Sequence, residues 1–338
     1  MKLTTKNKRR ATTVKIILMK IGLIDIDSSN FPNLPLMKLS AYHKEKGDNV
    51  EWYNMFSDRM DMVYMSKVFS FTKDYEYHVN ADIVVKGGSG YAIKLIEGRE
   101  VYDKSIDNPL SQEIEHIYPD YSIYNIKDTA YGFLTRGCPR GCGFCHVKDK
   151  EGLCSRKVAD LSEFWNGQKN IVICDQNILA CKDSYCLLHQ LAESKSLIDF
   201  NQGLDARLLT EEKCKLLSKI KIKKVRFAWD KYEDKDIVLK GLEMFAKYSN
   251  KPHSHNAIVY TLVNYNTTLE QDLERIYMLR ELGYWAYVMI YDKEHCENVY
   301  KRLQRWVNNR IIFATCDTFD KYNKIDNTHK SNQLSIWM

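Results

Sequence analysis

Beyond residue 129 the chain alternates short apolar runs with amphipathic helical patterns, and this alternation restricts its fold more than any other feature. Six runs, at 130–134, 170–174, 197–200, 221–228, 257–263 and 285–291, have the length and branching of strands. Helical periodicity at 184–195, 210–219, 234–248 and 268–282 separates most of them, with Gly283 ending the last. A strand that returns through a helix runs parallel to its predecessor, so six such units predict an α/β barrel, whole or incomplete. Upstream, the run VKIILMKIGLIDI predicts a buried strand, and Pro32 and Pro35 mark a loop. A helix is expected over 36–46, with Leu36, Leu39, Ala41 and Tyr42 on one face and Gly47 as its stop. Strands are expected at 50–53, 61–69 and 82–86, giving a small open sheet flanked by helices. The organisation expected is an arm (1–13), this first domain (14–110), a polar linker (111–129), the barrel (130–292) and an extension (293–338).

In 338 residues, 44% hydrophobic and 28% charged, no apolar stretch is long enough to cross a bilayer, so a disordered chain and a membrane span are both excluded. Lys20 and Asp25 interrupt the first apolar run, which is not expected to be a signal peptide. Ten cysteines are too few for a disulfide scaffold and too many to leave unpaired under oxidising conditions, so reduced thiols and a cytoplasmic location are expected. A net charge of +6 permits a nucleic-acid partner, and Lys2, Lys6, Lys8, Arg9, Arg10 and Lys15 form its densest part.

The first barrel strand runs into Thr135-Arg-Gly-Cys138-Pro-Arg-Gly-Cys142-Gly-Phe-Cys145-His146. Glycines at 137, 141 and 143 and Pro139 favour an irregular loop that turns three sulfurs towards one centre. A cubane cluster takes one ligand per iron, so three thiolates leave one iron open to an exogenous ligand. Zinc competes on spacing alone, with Cys154 or His146 completing a tetrahedron. A redox-active pair leaves the third cysteine unexplained.

Cys138-x3-Cys142-x2-Cys145, with Phe144 before the last cysteine, resembles the signature loop of the radical S-adenosylmethionine (SAM) superfamily. Residues 135–142 resemble the branch holding cobalamin-dependent members and methylthiotransferases. Phe31-Pro-Asn-Leu-Pro-Leu-Met-Lys-Leu-Ser-Ala-Tyr is similar to the B12-binding-type domain of that branch. The resemblance implies a Rossmann-like first domain and a partial (β/α)6 TIM barrel. It further implies a [4Fe-4S] cluster on Cys138, Cys142 and Cys145, with SAM on the open iron. Reductive cleavage of SAM then gives a 5'-deoxyadenosyl radical that abstracts hydrogen from a substrate. A one-electron donor such as a flavodoxin or ferredoxin is implied as a partner.

Polar residues at the carboxyl ends of barrel strands are further site candidates. Asp175 and Asn177 end the second strand and are similar to the residues that face the methionine part of SAM; helix capping competes for Asp175. Asn201 and Gln202 follow the third strand, with Asp205 and Arg207 beyond, and turn formation competes there. Asp230 ends the fourth and matches the acidic residue that binds the ribose hydroxyls in relatives. Asn264 ends the fifth, where relatives carry Gly-Pro-Gly. For Tyr287 and Tyr291 core packing is the expected role, ahead of cavity lining. Cobalamin is not expected, because no Asp-x-His-x-x-Gly occurs, His43 lies mid-helix and His78 lacks the glycine. The Gly87-Gly88-Ser89-Gly90 loop reads as a turn ahead of a phosphate cradle. Cys174, Cys181 and Cys186 carry no second-cluster signature, and no cysteine precedes Cys138.

The function expected is a radical SAM enzyme of unspecified substrate, RNA or a nucleoside among the candidates. The alternative is a non-catalytic zinc or Fe-S module binding nucleic acid through the arm and Arg302, Arg305 and Arg310.

Overall fold

A computed structural model describes residues 18–28, 31–97, 99–249 and 256–323. The lysines and arginines of the arm and Trp337 lie outside the described residues. The chain opens with β1 (Lys20–Asp25), α1 (Leu34–Glu45), β2 (Asn49–Trp52), β3 (Met60–Ser66) and β4 (Ala81–Gly87). These strands form a parallel sheet in the order β2-β1-β3-β4. Asn33 starts α1, its side chain accepting from the amide of Leu36 at 3.3 Å. His43, buried in this helix, has both ring nitrogens engaged, by Asp48 at 2.7 Å and the Tyr64 hydroxyl at 3.0 Å.

After β4 come α2 (Ser89–Ala92), an antiparallel hairpin of β5 (Ile93–Ile96) and β6 (Arg99–Tyr102), and α3 (Gln112–Glu115). The glycine turn before the hairpin is tightly packed. A Cβ on Gly88 would stand 2.3 Å from the Lys67 carbonyl, and the Gly90 amide already donates to that carbonyl at 2.8 Å. These are contacts of a packed turn, with the Gly90 amide committed inward, and not those of an open phosphate cradle.

The second half contains β7 (Thr129–Gly132), β8 (Thr135–Arg136), α4 (Val147–Lys150), β9 (Arg156–Lys157) and β10 (Asn170–Ile173). It continues through α5 (Ser184–Ser194), β11 (Leu197–Phe200), α6 (Glu211–Leu217), β12 (Lys221–Ala228) and α7 (Lys235–Tyr248). Then follow β13 (Ala257–Val263), α8 (Leu269–Glu281), β14 (Trp285–Ile290), α9 (Asn298–Asn308) and α10 (Arg310–Thr315). Six of these strands make one parallel sheet in chain order, β7-β10-β11-β12-β13-β14. Sequential order follows from βαβ crossovers of one hand.

Strand alternation gives this sheet two different faces. Ala130, Ile171, Ile198, Val225, Val259 and Val288 are fully buried in one core with Leu187, Leu217, Phe245 and Ile276 of the helices. The opposite face carries Tyr131, Asp199, Arg226, Tyr260 and Tyr287, none of them buried. Tyr287 is 41% exposed, which corrects the expectation that it packs in the core. Arg226 pairs directly with Asp199 on this face.

The extension folds as well. Tyr300, Leu303, Trp306 and Val307 recur at helical spacing along α9 and are buried, with the Trp306 ring against Phe313 at 4.9 Å. Of the arginines expected to form a basic face, Arg302 donates to Asn323 at 3.1 Å and Arg310 lies 5.3 Å over Trp285. No helix among the described residues is long and apolar enough to cross a membrane.

Arg275 of α8 locks the carboxyl ends of β12 and β13 together. Fully buried, it pairs with the equally buried Asp272 and donates to the carbonyls of Trp229 and Leu262. Replacing one member of such a pair strands the other charge and frees two carbonyls. Arg275→Met is therefore expected to cost about 3–5 kcal/mol in a urea melt, whereas Lys215→Met, at an exposed pair, should leave the melt almost unchanged.

Candidate functional site

The three cysteines lie in one excursion of the chain at the carboxyl end of β7. β8 and β9 pair antiparallel across its base, Thr135 with Lys157 and Arg136 with Arg156, so the excursion is a closed loop. Inside it the Cys138 amide donates to the Gly152 carbonyl at 3.2 Å and the Cys145 amide to the Cys142 carbonyl at 3.2 Å. Gly137 permits this close return: its φ is +91°, and a Cβ would stand 2.3 Å from the Cys154 carbonyl oxygen.

Asp175 anchors the loop from the next strand. Its carboxylate, 2% exposed, accepts from the amides of Leu134 and Thr135 at 2.8 Å each and from the Thr135 hydroxyl at 2.7 Å. The side chain thus reaches back to β7 and caps no helix, which replaces the capping alternative with a cross-strand clamp. Burial pushes its pKa up to about 7, against the three donated bonds that pull it down.

Asn177 and Asp205 form a second support. The Asn177 amide nitrogen donates to Asp205 at 3.1 Å and points at the Cys138 sulfur at 3.6 Å, while its carbonyl oxygen is buried without a hydrogen-bond partner. Asp205 also binds Arg140 of the cysteine loop at 2.5 Å and Arg207 at 2.7 Å. Burial would raise the Asp205 carboxyl, but the two guanidiniums outweigh it and hold its pKa below the usual range. One carboxylate therefore joins the loop to the ends of β10 and β11.

A cover reaches the loop from the first half of the chain. The Glu100 amide of the hairpin donates to the Phe144 carbonyl at 3.4 Å, and the Glu100 carboxylate pairs with His146. Phe144 meets Tyr265 edge-on at 5.1 Å, Tyr265 meets Tyr291 at 4.9 Å, and the Tyr291 hydroxyl returns to the Glu97 carbonyl at 3.1 Å. Lys150 of α4, within the same excursion, donates to the Ser89 hydroxyl at 2.5 Å.

All ten cysteines are free thiols, and Cys138, Cys142 and Cys145 are half-buried. Burial, then the neighbouring Asp230 and Cys138, raises the Cys142 thiol; burial, Glu100 and the other two cysteines raise Cys145 to about 11. Without a cation the pocket thus holds both in the neutral form, and a metal would reverse that preference by ionising them. As placed, no three His, Cys, Asp or Glu side chains among the described residues converge to hold a single metal ion. A single zinc would require the sulfurs to close to about 4 Å from one another. A cluster takes one thiolate per iron and holds its sulfurs farther apart. Three thiols from one loop, with an amide directed at one of them, fit such a group in donor chemistry.

The remaining predicted residues are divided. Asp230 is half-buried at the end of β12, lies within electrostatic reach of Cys142, and is raised by burial to about 6 against the pull of Arg275 and Arg207. Gln202 is exposed. Asn264 is engaged in the frame, its amide accepted by Asp272 at 3.1 Å and its side chain donating to the Tyr291 carbonyl at 3.1 Å. Sequence reasoning missed Arg140, Glu100 and Tyr265. Arg140 had a signal, as the lone cation between two of the cysteines; Glu100 had none, because the hairpin that presents it was not predicted. No family model and no curated protein matches this chain.

Asp175→Ala leaves two buried amides and a hydroxyl unpaired and is expected to cost about 2–4 kcal/mol in chemical denaturation. The carboxyl has a higher pKa folded than unfolded, so its contribution is fullest in acid and falls as pH rises towards about 7. The stability margin of wild type over Asp175→Asn should accordingly narrow from pH 4.5 to pH 7.5.

Proposed function

We propose that the protein is a radical SAM enzyme, built from a Rossmann-like first domain and a partial barrel, with Cys138, Cys142 and Cys145 as ligands of a [4Fe-4S] cluster. The observation that carries this reading is one juxtaposition. Three thiols of one closed loop stand at the carboxyl end of the first strand of a six-stranded, sequentially ordered parallel sheet. Carboxyl strand ends are where such folds gather their chemistry. When bound, the cluster and SAM supply one-electron cleavage of the sulfonium and a 5'-deoxyadenosyl radical for hydrogen abstraction.

The chain's own residues do the remaining work. Asp175 fixes the exit of β7 and so sets where the cysteine loop begins. Asn177 directs an N–H at the Cys138 sulfur, and a hydrogen bond there favours an electron-rich sulfur and raises a cluster's reduction potential. Asp230, within electrostatic reach of Cys142, accepts one bond from the Leu262 amide of β13 and keeps its other acceptor positions for ribose hydroxyls. Asn264, bound into the ends of β13 and β14, positions that edge of the site, and Asp175 serves as a clamp. Phe144 and Tyr265, covered by the hairpin, limit water on one side of the loop. The open face with Tyr131, Asp199, Arg226, Tyr260 and Tyr287 offers aromatic surfaces and paired charges, which suits a polar, ring-bearing substrate such as a nucleoside or an RNA base. A reduced flavodoxin or ferredoxin in the cytoplasm would supply the electron.

Anaerobic reconstitution with iron and sulfide should give a brown protein with visible absorption. Dithionite reduction with SAM should then release 5'-deoxyadenosine and methionine, with at least a hundredfold loss in Cys142→Ala. A colourless protein that binds one zinc through the same cysteines and leaves SAM intact would overturn the reading.

A further inference from the structure

A cavity that no residue of the cysteine loop lines lies in the first half of the chain. Its volume is about 590 Å³, and it opens at the carboxyl ends of β1 and β2. There the strand order reverses, with β2 on one side of β1 and β3 on the other. Open parallel sheets bind ligands at this kind of switch point, and the volume falls within the roughly 300–1,000 Å³ of small-molecule sites.

The lining is aromatic and acidic. Trp52, Tyr53, Tyr75, Tyr77 and Tyr124 form the walls. They are held in place: Trp52 donates to the Ile123 carbonyl at 2.9 Å and meets Tyr124 edge-on at 5.1 Å, and Tyr75 meets Tyr77 at 5.5 Å. Asp25 lies at the end of β1, receiving the Tyr124 hydroxyl at 2.7 Å. A carboxylate has about four acceptor positions, and this hydroxyl with the backbone amides of Ser28 and Asp27 leaves one for a ligand.

Electrostatics disfavour a phosphate. Asp25, Asp74 and Glu76 line the cavity with Lys73, and Asp74 is already paired with Lys86 at 2.7 Å, which leaves Asp25 and Glu76 against Lys73. Beyond β3, Asp27 takes the amides of Val68 and Phe69 and the Thr72 hydroxyl, so these donors are not available to an anion. A flat, uncharged ring with an N–H to donate satisfies both the walls and the floor.

We infer that this cavity binds a nucleoside whose base carries an exocyclic amine, the base stacking among the aromatic walls and the amine donating to Asp25. The inference is independent of the cysteine site. Isothermal titration of the full chain with two matched pairs, cytidine against uridine and adenosine against inosine, tests it, because each pair exchanges an exocyclic amine beside a bare ring nitrogen for a carbonyl beside a ring N–H, which sets a carbonyl oxygen against the Asp25 carboxylate. At least one amine-bearing nucleoside should bind tenfold or more tightly than its carbonyl twin, and ten or more times more tightly than its 5'-monophosphate. Asp25→Asn, checked for folding by circular dichroism, should abolish the discrimination within the pair, and Trp52→Ala should weaken both members. Absence of nucleoside binding, equal binding of both twins, monophosphate binding as tight as the nucleoside, or discrimination that survives Asp25→Asn would each overturn the inference. Adenosine held at the cysteine site would appear as that last outcome.

Discussion

The carboxylate of Asp175 is the contact from which the rest of the site is built. It lies two residues beyond the second strand of the large sheet, yet its three hydrogen bonds all go to the segment leaving the first strand. Those amides would otherwise be buried without partners, since the chain there has left the sheet ladder. The carboxylate resolves this conflict and fixes the direction in which the cysteine loop departs. Asn177, two residues further on, then reaches the first of the three sulfurs. Strand end, clamp and sulfur contact fall at Ile173, Asp175 and Asn177, alternate positions of one short stretch.

The two halves of the chain meet through polar and aromatic contacts as well as apolar ones. Tyr124 reaches Asp25, Trp52 reaches the Ile123 carbonyl, and Phe31 meets Tyr131 at 5.2 Å. Met37 of α1 joins the core of the large sheet. The hairpin of β5 and β6 leans on the cysteine loop, so the cover of one half's chemistry is supplied by the other. An exposed hairpin of this kind has little core of its own and depends on those contacts for its position.

Much of this was legible in the sequence. Strands 197–200, 221–228 and 257–263 agree with the structure residue for residue, because branched apolar runs bounded by turn residues carry a strong local signal. β5, β6, β8 and β9 were missed: short strands bury few side chains on a single face, and their periodicity is lost among exposed residues. α9 was missed for a different reason. Its apolar residues recur at 300, 303, 306 and 307, but Lys301, Arg302 and Arg305 stand between them and lower the apolar contrast of the stripe. At the site, the cysteine spacing was plain from local sequence. The Asp205 hub was not, because Arg140 and Asp205 stand 65 residues apart and only the fold makes them neighbours. Asp175 and Asn264 were singled out for their positions, while their hydrogen bonds became apparent only with the backbone they hold.

The clasp of β8 and β9 has a consequence for how the cysteine loop is held. Two residues on each side form it, and both residues of β9 are exposed. So short a ladder buries little and adds little on its own, and the place of the loop is set by the contacts that reach it from outside: Asp175 at its root, Asp205 on Arg140, and Glu100 and Tyr265 over Phe144 and His146. The sulfurs are thus positioned by four separate parts of the chain, and a change in any one of them would be felt at the loop.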